Sequence, residues 1–399
     1  MRQPLRQPHP IRSLEIEDFT LESNYVIFKD GARTKAMNGA TGAIESVNTD
    51  ASTVIQYAVD AVQALRGGIV HIKEGSYTIS STIQLYANAA SWRPTWLRGS
   101  GILATELKLG VDADCDIISF DVSGGNNDGF HRISDMQLDG NKANNVSGSG
   151  IVSKTTGAGT QYDFKITDVF CVRCSEYGIY INNGWGTEIS DVITEYNDGI
   201  GVYMNGSQMY LKKVFSAYNG GEGMQLRGGD SIFIQLSAYN NGQEGINVTN
   251  LDYGVISDVI INTWGSETAS AYSAFKIGDS STYNVVTGLL INGDTTTDCY
   301  KGLELDGHNN VVTGVLAFGV NDDYIESVGN DNRVDGEFAN SIDDTGARNI
   351  INGISPNAGV PGVAGDWIAE VRNGVIVRDT TNNKTYIYAG AGWREISAV

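Results

Sequence analysis

A four-residue motif of the form Ile-x-Asp-Val recurs through the middle of the chain at a nearly constant spacing. Its regular copies begin at Ile166, Ile189, Leu211, Phe233 and Ile256, in steps of 23, 22, 22 and 23 residues. A second motif, Gly-Ile-x-φ with φ an apolar residue, keeps the same spacing. Short alternating strands with Gly and Asn turns, repeated at this length, predict a solenoid. The repeat is too short for a propeller blade and lacks a helical period, so we predict an all-β parallel β-helix with coils of about 22–23 residues.

Composition limits the partners that a chain of 399 residues can have. The net charge is -20 and the pI is about 4.5, which argues against nucleic acid because phosphate backbones require a basic footprint. No apolar run reaches the roughly 18 residues of a membrane span, and the first ten residues lack the apolar core of a signal peptide. We therefore expect no membrane span and a location in a virion or outside the cell. Four cysteines are too few for a disulfide framework, and no cofactor is indicated.

Changes in pattern divide the chain into an arm, a capping module, a solenoid and a C-terminal module. A helix is predicted over residues 51–65, because Asp50 can cap its first turn and apolar residues recur on one face. Such a helix can cover the open end of a solenoid, whose exposed sheet edge would otherwise pair with another chain. The predicted boundaries are 1–22 for the N-terminal arm, 23–80 for the capping module, 81–355 for the parallel β-helix, and 356–399 for a linker and small β meander.

The predicted capping module resembles the N-terminal module of the pectate-lyase-like superfamily. The resemblance lies in Asp50–Ala61 followed by Gly67–Ile72 and Gly75–Ile79, and Lys73-Glu74 departs from it where a proline is common. That superfamily includes phage tailspikes and polysaccharide-cleaving enzymes, so the resemblance implies a right-handed parallel β-helix and a polysaccharide partner. The C-terminal meander is similar to terminal modules of phage tail proteins. It is too short to be stable alone, so we expect a homotrimer or docking, with the N-terminal arm available to other virion tail proteins.

The outward side of the Gly-Ile-x-φ strands is the predicted glycan-binding surface. In a β-helix, residues one coil apart become neighbours on the wall, and alternate residues of each strand point outward. The outward residues here are polar and aromatic, and tryptophans at coil corners can stack on sugars or pack beneath a loop. The predicted substrate-binding residues are Tyr180, Tyr203, Gln225, Arg227, Asn247, Lys276, Glu304, Trp185 and Trp264.

Two other residue types recur once per coil and predict ladders that stabilise the fold. Inward asparagines can donate hydrogen bonds from one rung to the next. The predicted asparagine ladder comprises Asn197, Asn219, Asn240 or Asn241, and Asn262. A parallel aromatic stack is predicted for Tyr196, Tyr218 and Tyr239.

Carboxylates cluster at the turn that leads into the glycan-binding strands. Glu176, Asp198, Glu222 and Glu244 occupy this turn in successive coils. Carboxylates stacked about 4.8 Å apart repel, so one should keep its proton near neutral pH, as a general acid requires. Glu222 and Glu244 each precede a Gly and an inward residue, a position similar to that of the catalytic acids of polygalacturonases, although the polygalacturonase signatures are missing. We predict Glu222 and Glu244 as the catalytic pair; the alternative is that both are solvated turn residues.

The Ile-x-Asp-Val motif also places acidic residues in a row. Asp168, Asp191 and Asp258 could bind calcium, but Lys213 and Gln235 interrupt the row. We therefore predict no metal site.

Three functions fit these observations. The first is a virion tailspike or fibre that binds a cell-surface polysaccharide and cleaves it by acid–base hydrolysis. The second is a non-catalytic glycan-binding fibre or adhesin. The third is a polysaccharide lyase or epimerase acting on uronic acids. Enzymatic activity itself is left open by the sequence, and if it exists it belongs to a glycoside hydrolase or a polysaccharide lyase.

Overall fold

The fold was analysed in a computed structural model. It describes residues 23–85, 92–120, 122–123, 128–156, 160–265, 272–293, 301–318, 320, 323–338, 341–344, 349–355, 376–379, 384–388 and 393–396. The predicted N-terminal arm and the predicted first strand of the meander, residues 367–371, lie outside the described residues.

The capping module consists of strands and one amphipathic helix at the N-terminal end of the solenoid. The helix Ala51–Ala64 begins at Asp50, whose carboxylate accepts hydrogen bonds from the backbone N–H groups of Ser52 and Thr53. The buried face of the helix stabilises it by roughly 1.5–3 kcal/mol for each fully buried Val or Ile, and it packs over the first strands. These strands are Tyr25–Asp30, Arg33–Asn38, Ile44–Asn48, Gly68–Ile72 and Gly75–Ile79. The helix predicted from the sequence is therefore confirmed within one residue, and the structure describes no helix long and apolar enough to cross a membrane.

Two long parallel sheets form the body of the solenoid. Sheet A contains Thr95–Arg98, Thr105–Leu109, Arg132–Asp139, Lys165–Val172, Glu188–Glu195, Tyr210–Ala217, Ile232–Asn241, Val255–Trp264, Val285–Asn292, Val311–Phe318, Arg333–Phe338 and Ile350–Ser355. Sheet B contains Ile83–Gln84, Ile118–Ser119, Ile151–Ser153, Ile179–Trp185, Val202–Ser207, Met224–Gly229, Ile246–Asp252, Ser273–Ile277, Lys301–Leu305, Asp323–Ser327 and Ser341–Asp344. Each strand pairs with the equivalent strand one coil away, so the predicted parallel β-helix is confirmed.

Short elements complete the described chain. The irregular region between the first coils holds a 3-10 helix, Lys142–Asn144, and four short strands, Val122–Ser123, Asp128–Gly129, Thr155–Thr156 and Gln161–Tyr162. At the C-terminal end, Ile376–Asp379 pairs parallel to the last strand of sheet A, and Lys384–Tyr388 and Trp393–Ile396 continue as an antiparallel meander.

The third residue of the repeated Ile-x-Asp-Val motif forms a corner within its strand of sheet A. Its φ is 53° at Asp168, 54° at Asp191 and 56° at Asp258, and Lys213 and Gln235 adopt the same left-handed conformation. Asp is one of the few non-glycine residues that tolerate this conformation at low cost. The periodic aspartates are thus explained by backbone geometry. Among the described residues, no group of three or more His, Cys, Asp or Glu is arranged to hold a metal ion.

The core consists of inward rows that run along the solenoid axis. The inward residues of the Gly-Ile-x-φ strands in sheet B are all fully buried, namely Ile179, Ile181, Val202, Met204, Met224, Leu226, Ile246 and Val248. Because each row repeats every coil, burial is distributed along the axis and each coil is stabilised by its two neighbours.

The asparagine ladder is confirmed in part. The amide of Asn197 donates to the Oδ1 atom of Asn219 at 2.9 Å, and Asn219 donates in turn to Asn241 at 3.0 Å. Asn262 was wrongly assigned to the ladder, because it pairs with Tyr239, two residues before Asn241. A second ladder, which sequence analysis missed, follows the opposite corner through Asn284, Asn310, Asn332 and Asn349.

The tyrosine stack is shorter than predicted. The rings of Tyr196 and Tyr218 stack with centroids 4.9 Å apart and an interplanar angle of 1°. The ring of Tyr239 meets Tyr218 edge-on at 75°. The reason is register: Tyr239 pairs with Ala217, one residue before the corner that Tyr218 occupies.

Candidate functional site

The outward row of sheet B lies on adjacent strands, as the repeat predicts. Each member pairs directly with the next one, in the order Tyr180, Tyr203, Gln225, Asn247, Lys276 and Glu304. Neighbouring members are therefore about one strand spacing, ~4.8 Å, apart. The residues form one continuous wall that runs parallel to the solenoid axis.

Glu222 and Glu244 occupy the same position in two adjacent coils at the start of this wall. The backbone N–H of Gly223 donates to the carbonyl of Glu244 at 2.9 Å, which holds the two turns in contact. A Cβ on Gly223 would lie 2.5 Å from the carbonyl oxygen of Gly245, so this close approach requires glycine. The sequence pattern Glu-Gly before each strand thus places the two glutamates side by side.

Both glutamates are nearly buried, which shapes their chemistry. Glu222 is 8% exposed and Glu244 is 9% exposed. The carboxylate of Glu222 accepts hydrogen bonds from the side-chain amides of Gln225 at 3.2 Å and Asn247 at 3.3 Å. Two members of the outward row therefore hold Glu222 in place.

The pKa of Glu244 is raised from its ordinary value of 4.5 to about 7. Burial is the main cause, because the ionised carboxylate loses its hydration, and repulsion from Glu222 adds a smaller increase. The sequence predicted a carboxylate that keeps its proton near neutral pH, but it assigned the effect to repulsion between stacked carboxylates. The structure assigns most of it to burial.

A cavity of about 420 Å³ opens beside Glu222. Its lining includes Glu176, Tyr177 and Asp198, together with glycines in consecutive coils such as Gly199 and Gly221. A Cβ on Gly199 would lie 2.8 Å from the carbonyl oxygen of Glu176, so glycine at this corner allows the two coils to approach closely. Sequence analysis missed Tyr177 as a site residue, although the glycines at neighbouring corners were a visible signal.

The four turn carboxylates do not form a single stack, which corrects the sequence interpretation. The N–H of Gly199 bonds to the carbonyl of Glu176, and the N–H of Gly221 bonds to Gly199, so Glu176 is level with the residue before Glu222. In the same register, Asp198 lies one residue further from Glu222 than Glu176 does, and it forms an ion pair with Lys142 at 2.6 Å. Glu222 and Glu244 remain as the only directly level pair of the four.

Three tyrosines lie beside the cavity. The rings of Tyr180 and Tyr203 stack with centroids 4.6 Å apart and an interplanar angle of 12°, and Tyr177 packs against Tyr180 at 4.9 Å. Because the stacked faces cover each other, the pair presents ring edges and hydroxyl groups to solvent. Tyr180 and Tyr203 are therefore suited to hydrogen bonding with a glycan more than to stacking on it.

Two lysines of the wall are paired with carboxylates. Lys276 contacts Glu304 at 2.7 Å and Asp306 at 3.3 Å, and Lys301 contacts Glu326. Burial alone would raise the pKa of Glu304, but hydrogen bonds from Lys276 and a serine hydroxyl outweigh it, so the pKa lies below the ordinary value. The wall therefore carries excess negative charge despite its lysines. Arg227 also lies on it, level with Asn205 and half-buried.

The two predicted tryptophan platforms have different surroundings. Trp185 is 43% exposed and continues a line of aromatic rings with Tyr162, at 5.3 Å, and Trp92, which stacks on Tyr162 at 5.5 Å. Trp264 is 1% exposed, and its indole N–H donates to the carbonyl of Tyr272 at 3.1 Å. The prediction that Trp264 stacks on a sugar is therefore wrong, because the residue packs beneath the coil corner.

Comparison with known proteins agrees with this architecture. No family model and no curated protein matches the chain. Among solved structures, the pre-mature form of bacteriophage phi29 gene product 12 is similar with a TM-score of 0.55 and 12% identity, over 82% of this chain and 53% of that chain. The A-module of mannuronan C-5 epimerase AlgE6 from Azotobacter vinelandii has a TM-score of 0.51 and 16% identity, over 82% and 94%. Full-length tailspike protein 2 of Escherichia coli O157:H7 bacteriophage CAB120 has a TM-score of 0.50 and 11% identity, over 88% and 48%.

These similarities define a fold class. The chain is a right-handed parallel β-helix protein, with the architecture shared by phage tailspikes and mannuronan epimerases. At such low sequence identity, the similarity shows the fold and does not by itself assign an activity. The two phage proteins are about twice as long as the part that this chain matches.

Proposed function

We propose that this protein is a virion tailspike- or fibre-like protein that binds a cell-surface polysaccharide along sheet B and cleaves it by acid–base hydrolysis. The proposal rests on one observation: Glu222 and Glu244 occupy the same position in adjacent coils, nearly buried, beside a concave, polar wall. The fold similarity to a phage tailspike and to an enzyme named for mannuronan supports a polysaccharide as the substrate class. The same similarity supports association with a virion, and we propose a homotrimer.

The two glutamates have different roles in the proposed reaction. Glu244, with a pKa of about 7, keeps its proton at neutral pH and donates it to the glycosidic oxygen as the sugar bond breaks. Glu222 attacks the anomeric carbon or activates the water that does so. Adjacent coils lie ~4.8 Å apart, close to the ~5–5.5 Å separation of carboxylates in retaining enzymes. We therefore expect Glu222 to act as the nucleophile and to form a glycosyl ester. A water molecule deprotonated by Glu244 then hydrolyses this ester and releases Glu222, with retention of configuration at the anomeric carbon.

The remaining residues of the wall bind and orient the glycan in this proposal. Tyr180 and Tyr203 offer hydroxyl groups, and Gln225 and Asn247 orient Glu222 while facing the substrate. The exposed indole of Trp185, at the end of the strand that holds Tyr180, can stack on a sugar ring.

Release of reducing ends from a panel of bacterial surface polysaccharides tests the proposal. Wild-type protein should release them, and Glu222→Gln and Glu244→Gln should each reduce the rate by about 10²–10⁴-fold. Glu195→Gln is a matched control, because Glu195 is another partly buried glutamate with a raised pKa, on sheet A instead of sheet B. Full activity in both glutamine variants of the pair would refute the assignment.

A non-catalytic glycan-binding fibre is the second candidate. It is favoured by the hydrogen bonds from Gln225 and Asn247, which already occupy the carboxylate of Glu222. A binder would retain polysaccharide without releasing reducing ends, and its glutamine variants would bind as well as the wild type. Ultraviolet absorbance from unsaturated uronate products would instead identify a lyase, although the paired lysines of the wall leave little positive charge for a polyuronate.

A further inference from the structure

An exposed aromatic surface crosses four consecutive coils at the corner that leads into sheet A. It consists of Trp92, Phe130, Tyr162 and Trp185, each two or three residues before a strand of that sheet, and we call it the aromatic ledge. Trp92, Phe130 and Trp185 are 44%, 42% and 43% exposed. The ring centroid of Trp92 lies 4.7 Å from that of Phe130, and the ring of Tyr162 lies 5.5 Å from Trp92 and 5.3 Å from Trp185. Three strand spacings give the ledge a length of ~14 Å along the solenoid axis.

A glycine allows these rings to meet across a coil. Gly129 holds the position of Tyr162 in the coil between Trp92 and Tyr162. A Cβ on Gly129 would lie 2.2 Å from the carbonyl oxygen of Tyr162, so the close approach of the two coils requires glycine. No side chain at this position separates the two rings, and the aromatic surface is continuous.

The ring of Phe130 is held outward at a conformational cost. Its φ is 62°, in the left-handed region, where the next two coils place Asp163 and Gly186. Asp and Gly tolerate this conformation, whereas a bulky side chain adopts it rarely. Because the ring is 42% exposed, burial does not offset the cost. A strained backbone that presents an apolar ring to solvent is typical of a binding site.

A cavity of about 220 Å³ adjoins the ledge and is lined by charges of both signs. Phe130 lines it together with Arg132, Asp163, Lys165 and Glu188. Lys165 and Glu188 contact each other at 2.8 Å. Within the part of the chain that the structure describes, neither Arg132 nor Asp163 forms an ion pair. The two positive and two negative charges cancel, so this surface is locally neutral in a chain with a net charge of -20.

We propose that the aromatic ledge and its cavity form a second glycan-binding site, which takes a stretch of polysaccharide built of uncharged sugars. The exposed rings cover the apolar faces of the sugars. Arg132 donates hydrogen bonds to sugar hydroxyl groups and Asp163 accepts hydrogen bonds from them. A carboxylated sugar would meet Asp163 and Glu188 as well as the two cations, so the neutral lining favours an uncharged glycan. The inference rests on the proposed polysaccharide partner but not on its cleavage.

The ledge is separate from the cavity beside Glu222. The strand Ile179–Trp185 begins next to Tyr177, which lines that cavity, and ends at Trp185 on the ledge. Seven residues at ~3.3 Å per residue place the two sites roughly 20 Å apart. Only a long chain can occupy both, and binding at one site raises the effective concentration of the same chain at the other. The ledge therefore selects long polysaccharide over short fragments.

Retention of purified bacterial surface polysaccharides in affinity gels tests the proposal, with neutral and uronate-containing repeating units compared. Every protein carries Glu222→Gln, so that the polysaccharide stays intact. Neutral polysaccharide should be retained more strongly than uronate-containing polysaccharide. Trp92→Ala and Phe130→Gly should each weaken its retention by about 2- to 10-fold, the range that one aromatic contact accounts for.

Tyr253→Gly is the matched control for Phe130→Gly. Tyr253 holds the position of Phe130 in a later coil, has a φ of 58° and is 61% exposed. Its ring stacks on Tyr283, at 5.4 Å, outside the ledge. The backbone change is the same in the two variants, so Tyr253→Gly should retain polysaccharide as strongly as its parent.

Oxidation of exposed indoles by N-bromosuccinimide gives a readout that needs no substitution on the ledge. The retained neutral polysaccharide should protect Trp92 and Trp185, as mapped by mass spectrometry. No retention of neutral polysaccharide, equal losses in Phe130→Gly and Tyr253→Gly, or unprotected Trp92 would each overturn the second site. Stronger retention of uronate-containing polysaccharide would overturn its assignment to uncharged sugars. Retention through the ledge without release of reducing ends by the wild type would refute the proposed cleavage and leave the second site standing.

Discussion

The raised pKa of Glu244 has a measurable cost for stability. The carboxyl group titrates at about 7 in the folded protein and at 4.5 as an ordinary glutamate, so the folded state binds the proton more tightly. The stability that this tighter proton binding gives the folded state is therefore fully present below about pH 4.5 and is lost as pH rises through about 7. Each pH unit between these values is worth about 1.4 kcal/mol, so the total is about 3 kcal/mol.

Glu244→Gln isolates this contribution, because glutamine has nearly the same shape and does not titrate. Relative to the wild type, the variant should gain about 2–3 kcal/mol in free energy of unfolding between about pH 5 and about pH 8.5. Guanidinium unfolding followed by fluorescence at both pH values measures this gain, and all groups other than Glu244 and its close neighbours cancel in the difference.

The cause of the raised pKa can be tested in a second background. Burial is the larger cause and repulsion from Glu222 the smaller, so most of the gain should persist when Glu222→Gln is present in both proteins. Loss of the gain in that background would show that repulsion dominates. A gain below about 1 kcal/mol in the wild-type background would refute the buried, protonated state of Glu244 itself.

Three further outcomes are expected. Cleavage of polysaccharide should decline as pH rises above about 7, because Glu244 loses the proton that it donates, and a pH–rate profile measures this. Lys276→Met should destabilise the protein by about 2 kcal/mol in denaturant unfolding, because it removes the cation that contacts the buried Glu304 and the partly buried Asp306, whereas Lys213→Met removes an exposed ion pair and should cost under ~1 kcal/mol. Asn219→Ala should cost about 3 kcal/mol by the same assay, because it leaves polar groups of two rungs unpaired in the core, while Asn262→Ala, outside the ladder, should cost no more than ~0.5 kcal/mol.

Much of the fold was predictable from the repeat, because a period of 22–23 residues leaves one simple way to stack short strands. The helix and its Asp50 cap followed from local rules of capping and amphipathicity, which act over a few residues. Glu222 and Glu244 could be placed side by side in adjacent coils because each stands two residues before the first inward residue of its strand. Each of these inferences needed only counting along the chain.

The errors arose where coils differ in length or where burial decides the outcome. Tyr239 and Asn262 were misplaced because the end of a strand shifted by one or two residues relative to the corner, and a single-residue shift changes the direction of a side chain. Trp264 was expected at the surface, but whether a side chain at a coil corner is exposed depends on how the neighbouring coils pack around it. The missed Asn284 ladder follows the other corner, where the repeat is less regular in the sequence.

The two walls of the solenoid show how one repeat can serve two purposes. Residues on sheets A and B share the same coils but lie on different walls, and each coil contacts only its two neighbours. On sheet B, polar residues accumulate next to Glu222, and glycine corners line the cavity beside it. On sheet A, the outward residues around Leu290 carry few charges. Leu290→Glu should leave the pKa of Glu244 unchanged, since the main cause of that pKa is burial of the carboxyl group beside sheet B; a shifted pH–rate profile in that variant would mean that the two walls are coupled.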